Sequence, residues 1–253
     1  MDHFVLERVD CFQCITMNWS QARPGFQPDS FDAVATAIRS ADSNPDVACT
    51  IFFGVPRCFC LGTDVAAFIG QYPLDSLSAV VGRFFASLIA ARKPLIAAVD
   101  GPAVGLGMTM LGHFDVVFAT PASVFKAPFV DWGLSPEAAS SLLLPETVGY
   151  RKAFELFCLG GELTAEEAAR LGIVTRVVAH EDLEVAATDA ARRLGRAPKR
   201  ALATTRELLR RDRNKLGKRA ATEIAAFQEL LAEQQTQKRL RVMARATRMA
   251  LTA

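Results

Sequence analysis

Between Val47 and Val130 the chain alternates short apolar runs with an amphipathic stretch, and this rhythm constrains the fold more than any other feature. Val47 to Phe53 reads as a buried strand. Ser76 to Arg92 carries apolar residues at helical spacing and ends before Pro94, whose missing N–H ends a helix. Leu95 to Val99 and Val116 to Ala119 are again strand-like. Strand, helix and strand in that order predict βα units around a mostly parallel sheet, the α/β class. Upstream, Phe4 to Val9 and Phe12 to Met17 read as a hairpin about Asp10, and Ser30 is a candidate cap for a helix to about Ala41. Downstream, Thr164-x-x-Glu167 is a capping box opening a helix to Leu171, and Val174 to Val178 is a last strand. After Glu181 strand patterns cease and about three helices are expected. The reading is an α/β core over 1–192 and a helical region over 193–253.

Apolar residues make up 51% of the 253, enough for a sizeable core. The most apolar region, Pro94 to Gly112, is broken by Asp100, so no membrane span is expected. The start, Met1-Asp2-His3-Phe4, has no basic segment leading into an apolar one, so a cytoplasmic chain is expected. Cys11-x-x-Cys14 has no second Cys or His pair at ligand spacing, so no metal is expected. His3, His113 and His180 are scattered, which argues against a His-based nucleophilic triad. Residues 192–253 hold 17 Lys/Arg against 5 Asp/Glu. Such a surface can meet nucleic acid, an anionic membrane or a phosphorylated ligand, or be a solvated or subunit-packed helical face. Aromatic residues are not interleaved among these arginines, so nucleic acid is not the expected partner, and no membrane partner is expected either.

Three segments can carry chemistry. In Arg57-Cys58-Phe59-Cys60-Leu61-Gly62-Thr63-Asp64-Val65 a glycine follows an apolar run and can turn backbone N–H groups toward an anion or a carbonyl oxygen. In Ala97 to Met108 an apolar strand enters a Gly101-Pro102 turn, and Gly105-Leu106-Gly107 then opens a helix. The unpaired N–H groups of that helix start lie at a strand's carboxyl end, where ligands bind in α/β sheets. In Phe125 to Ser141, Ser135 is a candidate N-cap with Pro136 at the first helical position and Glu137 at the second. By local chemistry alone Glu137 is a dipole-stabilising carboxylate.

Together, in this order and spacing, these segments resemble the crotonase, or enoyl-CoA hydratase/isomerase, superfamily. Phe59 to Val65 is similar to that family's Phe-Ser-Ala-Gly-Ala-Asp-Leu, and Ala97 to Gly107 to its Ala-Ala-Val-Asn-Gly-x-Ala-x-Gly-Gly-Gly. Gly160 to Val178 resembles a third family run. The resemblance implies a spiral of ββα units with a C-terminal helical trimerisation region, and a homotrimer or hexamer. It implies an acyl-CoA thioester substrate and no separate cofactor. It places the oxyanion-binding N–H groups on Thr63 and Leu106, and coenzyme A and acyl contacts on Arg23, Gly25, Phe26, Cys60, Leu61, Gly62, Asp64, Gly105, Phe129 and Trp132.

The departures indicate the reaction. The two glutamates of the family's hydratases fall on Thr109 and Phe129, so hydration by that route is not expected. Gly133-Leu-Ser-Pro-Glu137-Ala-Ala-Ser-Ser instead resembles the peroxisomal-type Δ3,Δ2-enoyl-CoA isomerases, whose single catalytic glutamate stands where Glu137 stands. Dehalogenases of the superfamily place a nucleophilic aspartate there. The implied function is isomerisation of a 3-enoyl-CoA to 2-trans-enoyl-CoA. The alternatives are another thioester lyase or dehalogenase reaction, or an inactive acyl-CoA binder. Asp131 is the rival carboxylate, and Asp115 matches a family aspartate with a structural role. Phe129, Trp132 and Leu134 are candidate pocket walls.

Overall fold

The computed structural model describes residues 4–18, 25–63 and 74–252. β1 (Val5–Val9) and β2 (Phe12–Thr16) form the expected hairpin, with Asp10 at φ 50° in its turn. The sheet continues through β3 (Cys49–Phe53), β4 (Leu95–Val99), β6 (Val116–Ala119) and β9 (Arg176–Val177), in the order β1-β2-β3-β4-β6-β9. Every pairing after the hairpin is parallel. The central strands are buried on both faces, which is why they read as unbroken apolar runs. Along β4, Leu95, Ala97 and Val99 join the core on one face, while Ile96 and Ala98 join the core on the other.

A smaller sheet holds β5 (Ala103–Val104), β7 (Val124–Lys126) and β8 (Glu162–Thr164), in the order β5-β7-β8. Twice the chain runs from the large sheet to the small one and then into a helix. β4 and β5 lead to α3 (Leu106–Thr109), and β6 and β7 lead to α4 (Ser140–Val148). This is the expected ββα spiral. The first helix, α1 (Pro28–Ser43), packs on α2 (Leu74–Ala90) beside the first core. After α4 come α5 (Tyr150–Cys158) and α6 (Ala165–Arg170), the latter opened by the capping box of Thr164 and Glu167 in both directions.

Several boundaries differ from expectation. α1 begins at Pro28, not after Ser30. Proline suits the first helical position because its absent N–H would have no partner there, and Ser30 N–H bonds Gln27 O at 2.9 Å inside the first turn. β9 is two residues long, those that reach Phe118 and Ala119 of β6. After residue 181 there are four helices among the described residues, not three: α7 (Leu183–Arg196), α8 (Lys199–Leu209), α9 (Arg213–Ala232) and α10 (Gln234–Thr252). The extra division falls at Asp212, whose carboxylate accepts the N–H groups of Asn214 and Lys215 and so starts a new helix. α7 covers the second face of the large sheet through Leu183, Ala187 and Ala191. α9 crosses α2 and reaches α4, which brings the C-terminal helices over the site described next.

Candidate active site

Two turns at the carboxyl side of the parallel strands meet. Cys60 N–H bonds Pro102 O at 3.1 Å, and Val104 N–H bonds Cys60 O at 2.8 Å, so the 58–63 segment is zipped to β5. Gly62 has φ 92° and Gly105 φ 55°, backbone conformations that favour glycine. A side-chain carbon on Gly62 would lie 3.6 Å from Leu106 N and 3.9 Å from Gly105 Cα, so the two turns touch. Among the described residues, neither Thr63 N–H nor Leu106 N–H is given to a protein acceptor. For Leu106 the reason is its place at the first position of α3, where N–H groups have no partner within the helix. Phe26 N–H bonds Gly62 O at 2.8 Å, tying buried Gly25 and Phe26 to the same turn. Asp100 fixes the approach from below. Its Oδ2 accepts Arg57 N–H at 2.8 Å and its Oδ1 accepts the Thr120 hydroxyl at 2.9 Å.

Glu137 is a buried carboxylate, 7% exposed. It does not stand in the first turn of a helix, as the Ser135-Pro136 pattern predicted. α4 begins only at Ser140, and Ala138 and Ala139 are both left-handed, at φ 60° and 56°. Each such alanine costs about 1 kcal/mol or more, so other contacts must hold them. Freed from the helix, Glu137 lines a narrow apolar cleft with Leu77, Val81 and Phe85 of α2 and Ile224, Phe227 and Leu231 of α9. Burial, and then the nearby Glu223 carboxylate, push its pKa from 4.5 up to about 8. Its charge also reaches the Cys60 thiol, whose pKa burial raises first and Glu137 raises further.

The other expected site residues fall in distinct places. Trp132 is half-buried and stands over Gly105, where an added side-chain carbon would meet its Cζ3 at 3.1 Å. Phe129 is in the core between Trp132 and Phe157, at ring distances of 5.8 and 6.1 Å. Leu134 and Leu106 are also core residues. Leu61 is exposed beside buried Cys60. Thr109 is buried, its hydroxyl 3.5 Å from Leu106 O. Asp131 is exposed and faces Gly160 rather than the cleft. Asp115 receives Arg206 through Nε and Nη2 at 2.9 Å each and Leu95 N–H at 2.8 Å, a structural tie. Arg23 and Asp64 lie outside the described residues. The apolar walls on α2 and α9 were missed in the sequence, where they read as ordinary core stripes of their helices.

The Glu137 charge is felt at Cys60, two residues before Gly62, and paired N–H turns together with a buried, hard-to-ionise carboxylate suit proton transfer next to a carbonyl oxygen that gains charge. The profile of the family described as Enoyl-CoA hydratase/isomerase matches residues 10–246, and the chain belongs to that family. Enoyl-CoA delta isomerase 2 of Rattus norvegicus is 32% identical over 203 residues, 78% of this chain and 52% of that protein. The chain thus spans about half the length of that relative. The Probable enoyl-CoA hydratase echA8 of Mycobacterium leprae (strain TN) is 30% identical over 228 residues, 89% of this chain and 83% of that protein. Among solved structures, Pseudomonas aeruginosa OdaA superposes with a TM-score of 0.89 at 30% identity, covering 96% of this chain and 99% of its own.

Proposed function

We propose that the protein is an enoyl-CoA isomerase that moves the double bond of a 3-enoyl-CoA to the 2-trans position. Glu137 takes a proton from C2, and the electron pair of that bond spreads over the thioester oxygen and C2 to C4 as a dienolate. The N–H groups of Thr63 and Leu106 hold the oxygen as it becomes negative. The same carboxyl returns the proton at C4, leaving the double bond between C2 and C3. Atoms and charge balance with no water and no co-reactant. Backbone donors suit this work because they are already oriented before the charge appears, and losing one typically costs about 100- to 1000-fold in rate. The apolar residues around Glu137 keep water from the base, and the raised pKa brings it nearer the acidity of the C2 proton.

The observation that carries this reading is the buried Glu137 carboxylate lining the cleft; the resemblance supports it by placing Thr109 and Phe129 where the family's hydratases have their glutamates. The likeness to the rat isomerase supports it. The likeness to the M. leprae hydratase favours hydration as a second reading, against which stands the lack of a second acid at those two positions. The test is turnover of 3-enoyl-CoA to 2-trans-enoyl-CoA by the purified protein and by Glu137→Gln. Turnover by the first and loss of it in the second supports the proposal. Equal rates remove Glu137 from the mechanism, and no turnover by either removes the isomerase reading.

A further inference from the structure

The turn that carries Glu137 is held from two sides. α4 starts at Ser140 with Ala139 as its N-cap, a residue with no side-chain acceptor for the first N–H groups of the helix. Glu223 of α9 supplies that acceptor from 84 residues away. Its Oε2 accepts Ala139 N–H at 2.5 Å and its Oε1 accepts Ser141 N–H at 2.9 Å. On the other side His113, at the end of the 3-10 turn that follows α3, lies with its Nε2 2.7 Å from Ala138 O. Glu223 is itself 5% exposed. A carboxylate taking two N–H groups at a helix start is a charge-assisted, directional contact and favours one backbone arrangement over its neighbours.

We infer that Glu223 is a positioning residue for Glu137: by capping α4 from outside, it holds Ala138 and Ala139 left-handed and keeps the Glu137 side chain in the apolar cleft. The inference rests on the isomerase reading for its catalytic consequence, though not for its structural one. Without Glu223, Ser135 and Pro136 are the local capping pattern, and a helix starting there would take Glu137 into its first turn. Glu223 acts on Glu137 in a second way, as a like charge in the same buried region. Other ionisable groups among the described residues act around the pair. Cys60 is a buried thiol. His113, pushed down to about 4 by burial, is neutral at pH 7, and because the Ala138 carbonyl can only accept, its Nε2–H is the donor. Burial raises the Glu223 pKa, and the hydrogen bonds from Ser141 and Ala139, then Arg219 on its own helix, work against that rise.

The experiment compares the full-length protein with Glu223→Gln and Glu223→Asp. In Gln one acceptor oxygen is replaced by a donor facing an N–H, and the charge is lost. In Asp the charge stays but the reach shortens. For Glu223→Gln we expect kcat for 3-enoyl-CoA to fall about 10-fold or more with KM nearly unchanged. The pH at which kcat rises should move down by about one pH unit. Glu223→Asp should keep the pH midpoint of the wild type and recover part of kcat. The Glu137 titration is also read without substrate, from the infrared carboxyl band lost in Glu137→Gln, with and without Glu223→Gln. A band midpoint that moves down in Glu223→Gln supports the inference even if 3-enoyl-CoA is not turned over, an outcome that removes the isomerase reading alone. Wild-type kcat and midpoint in Glu223→Gln overturn it, as does a loss of kcat explained wholly by loss of folded protein with the midpoint unmoved.

Discussion

Glu137→Gln should make the protein more stable, and more so as pH rises. The carboxyl has a pKa of about 8 in the folded chain and 4.5 when unperturbed. Below 4.5 it is protonated in folded and unfolded chains alike, and its ionisation contributes nothing to the difference. Between 4.5 and about 8 the unfolded chain releases the proton while the folded chain keeps it, so stability falls with rising pH. Above about 8 the loss is complete. At ~1.4 kcal/mol per pH unit, the interval amounts to about 5 kcal/mol. Glutamine fills nearly the same space and does not ionise, so the variant escapes this loss. Urea unfolding of both proteins from pH 4 to pH 9 measures it. The stability difference should grow by several kcal/mol in favour of Glu137→Gln, corresponding to roughly 10–20 °C in Tm for a chain of this size. Parallel stability curves for the two proteins across that range would refute the reasoning, because they would mean that Glu137 ionises as easily folded as unfolded.

Other sites give independent checks. Gly105→Ala forces a side chain onto a backbone at φ 55° and against Trp132. It should displace Leu106 N–H and lower kcat by about 100-fold or more while costing about 1–3 kcal/mol of stability. Arg206 is 6% exposed and joins Asp115 to the carbonyl oxygen of Ala91. Arg206→Ala should therefore cost about 1–3 kcal/mol by leaving the buried Ala91 oxygen without its donor and Asp115 without its charge partner, read as a fall in Tm. Thr164→Ala removes one half of the capping box of α6 and should cost about 1 kcal/mol with kcat unchanged.

What the sequence made legible depended on how local the cause was. β4 and β6 were placed to the residue, because apolar strands buried on both faces are bounded there by Pro94, Asp100 and the polar Thr120. The Thr164 capping box was legible because both partners lie within one helical turn. The Glu137 turn was misread for the opposite reason. Ser135 and Pro136 are good helix starters, and nothing in Ala138-Ala139 signals a left-handed backbone. The contacts that hold it come from Glu223 and His113, far along the chain. The walls of the cleft come likewise from α2 and α9, whose meeting is a tertiary event. The paired turns at Gly62 and Gly105 were each unremarkable as local patterns. They became a candidate site only through their spacing, and the structure brings them into contact.

The central claim is that one carboxyl carries a proton from C2 to C4 of a thioester held at Thr63 and Leu106. It is tested most directly with 3-enoyl-CoA deuterated at C2, incubated with the protein in ordinary water and read by mass spectrometry and NMR of the product. The account predicts 2-trans-enoyl-CoA with part of the deuterium at C4, and no such transfer by Glu137→Gln. A hydrated product, or transfer that survives in Glu137→Gln, would contradict it.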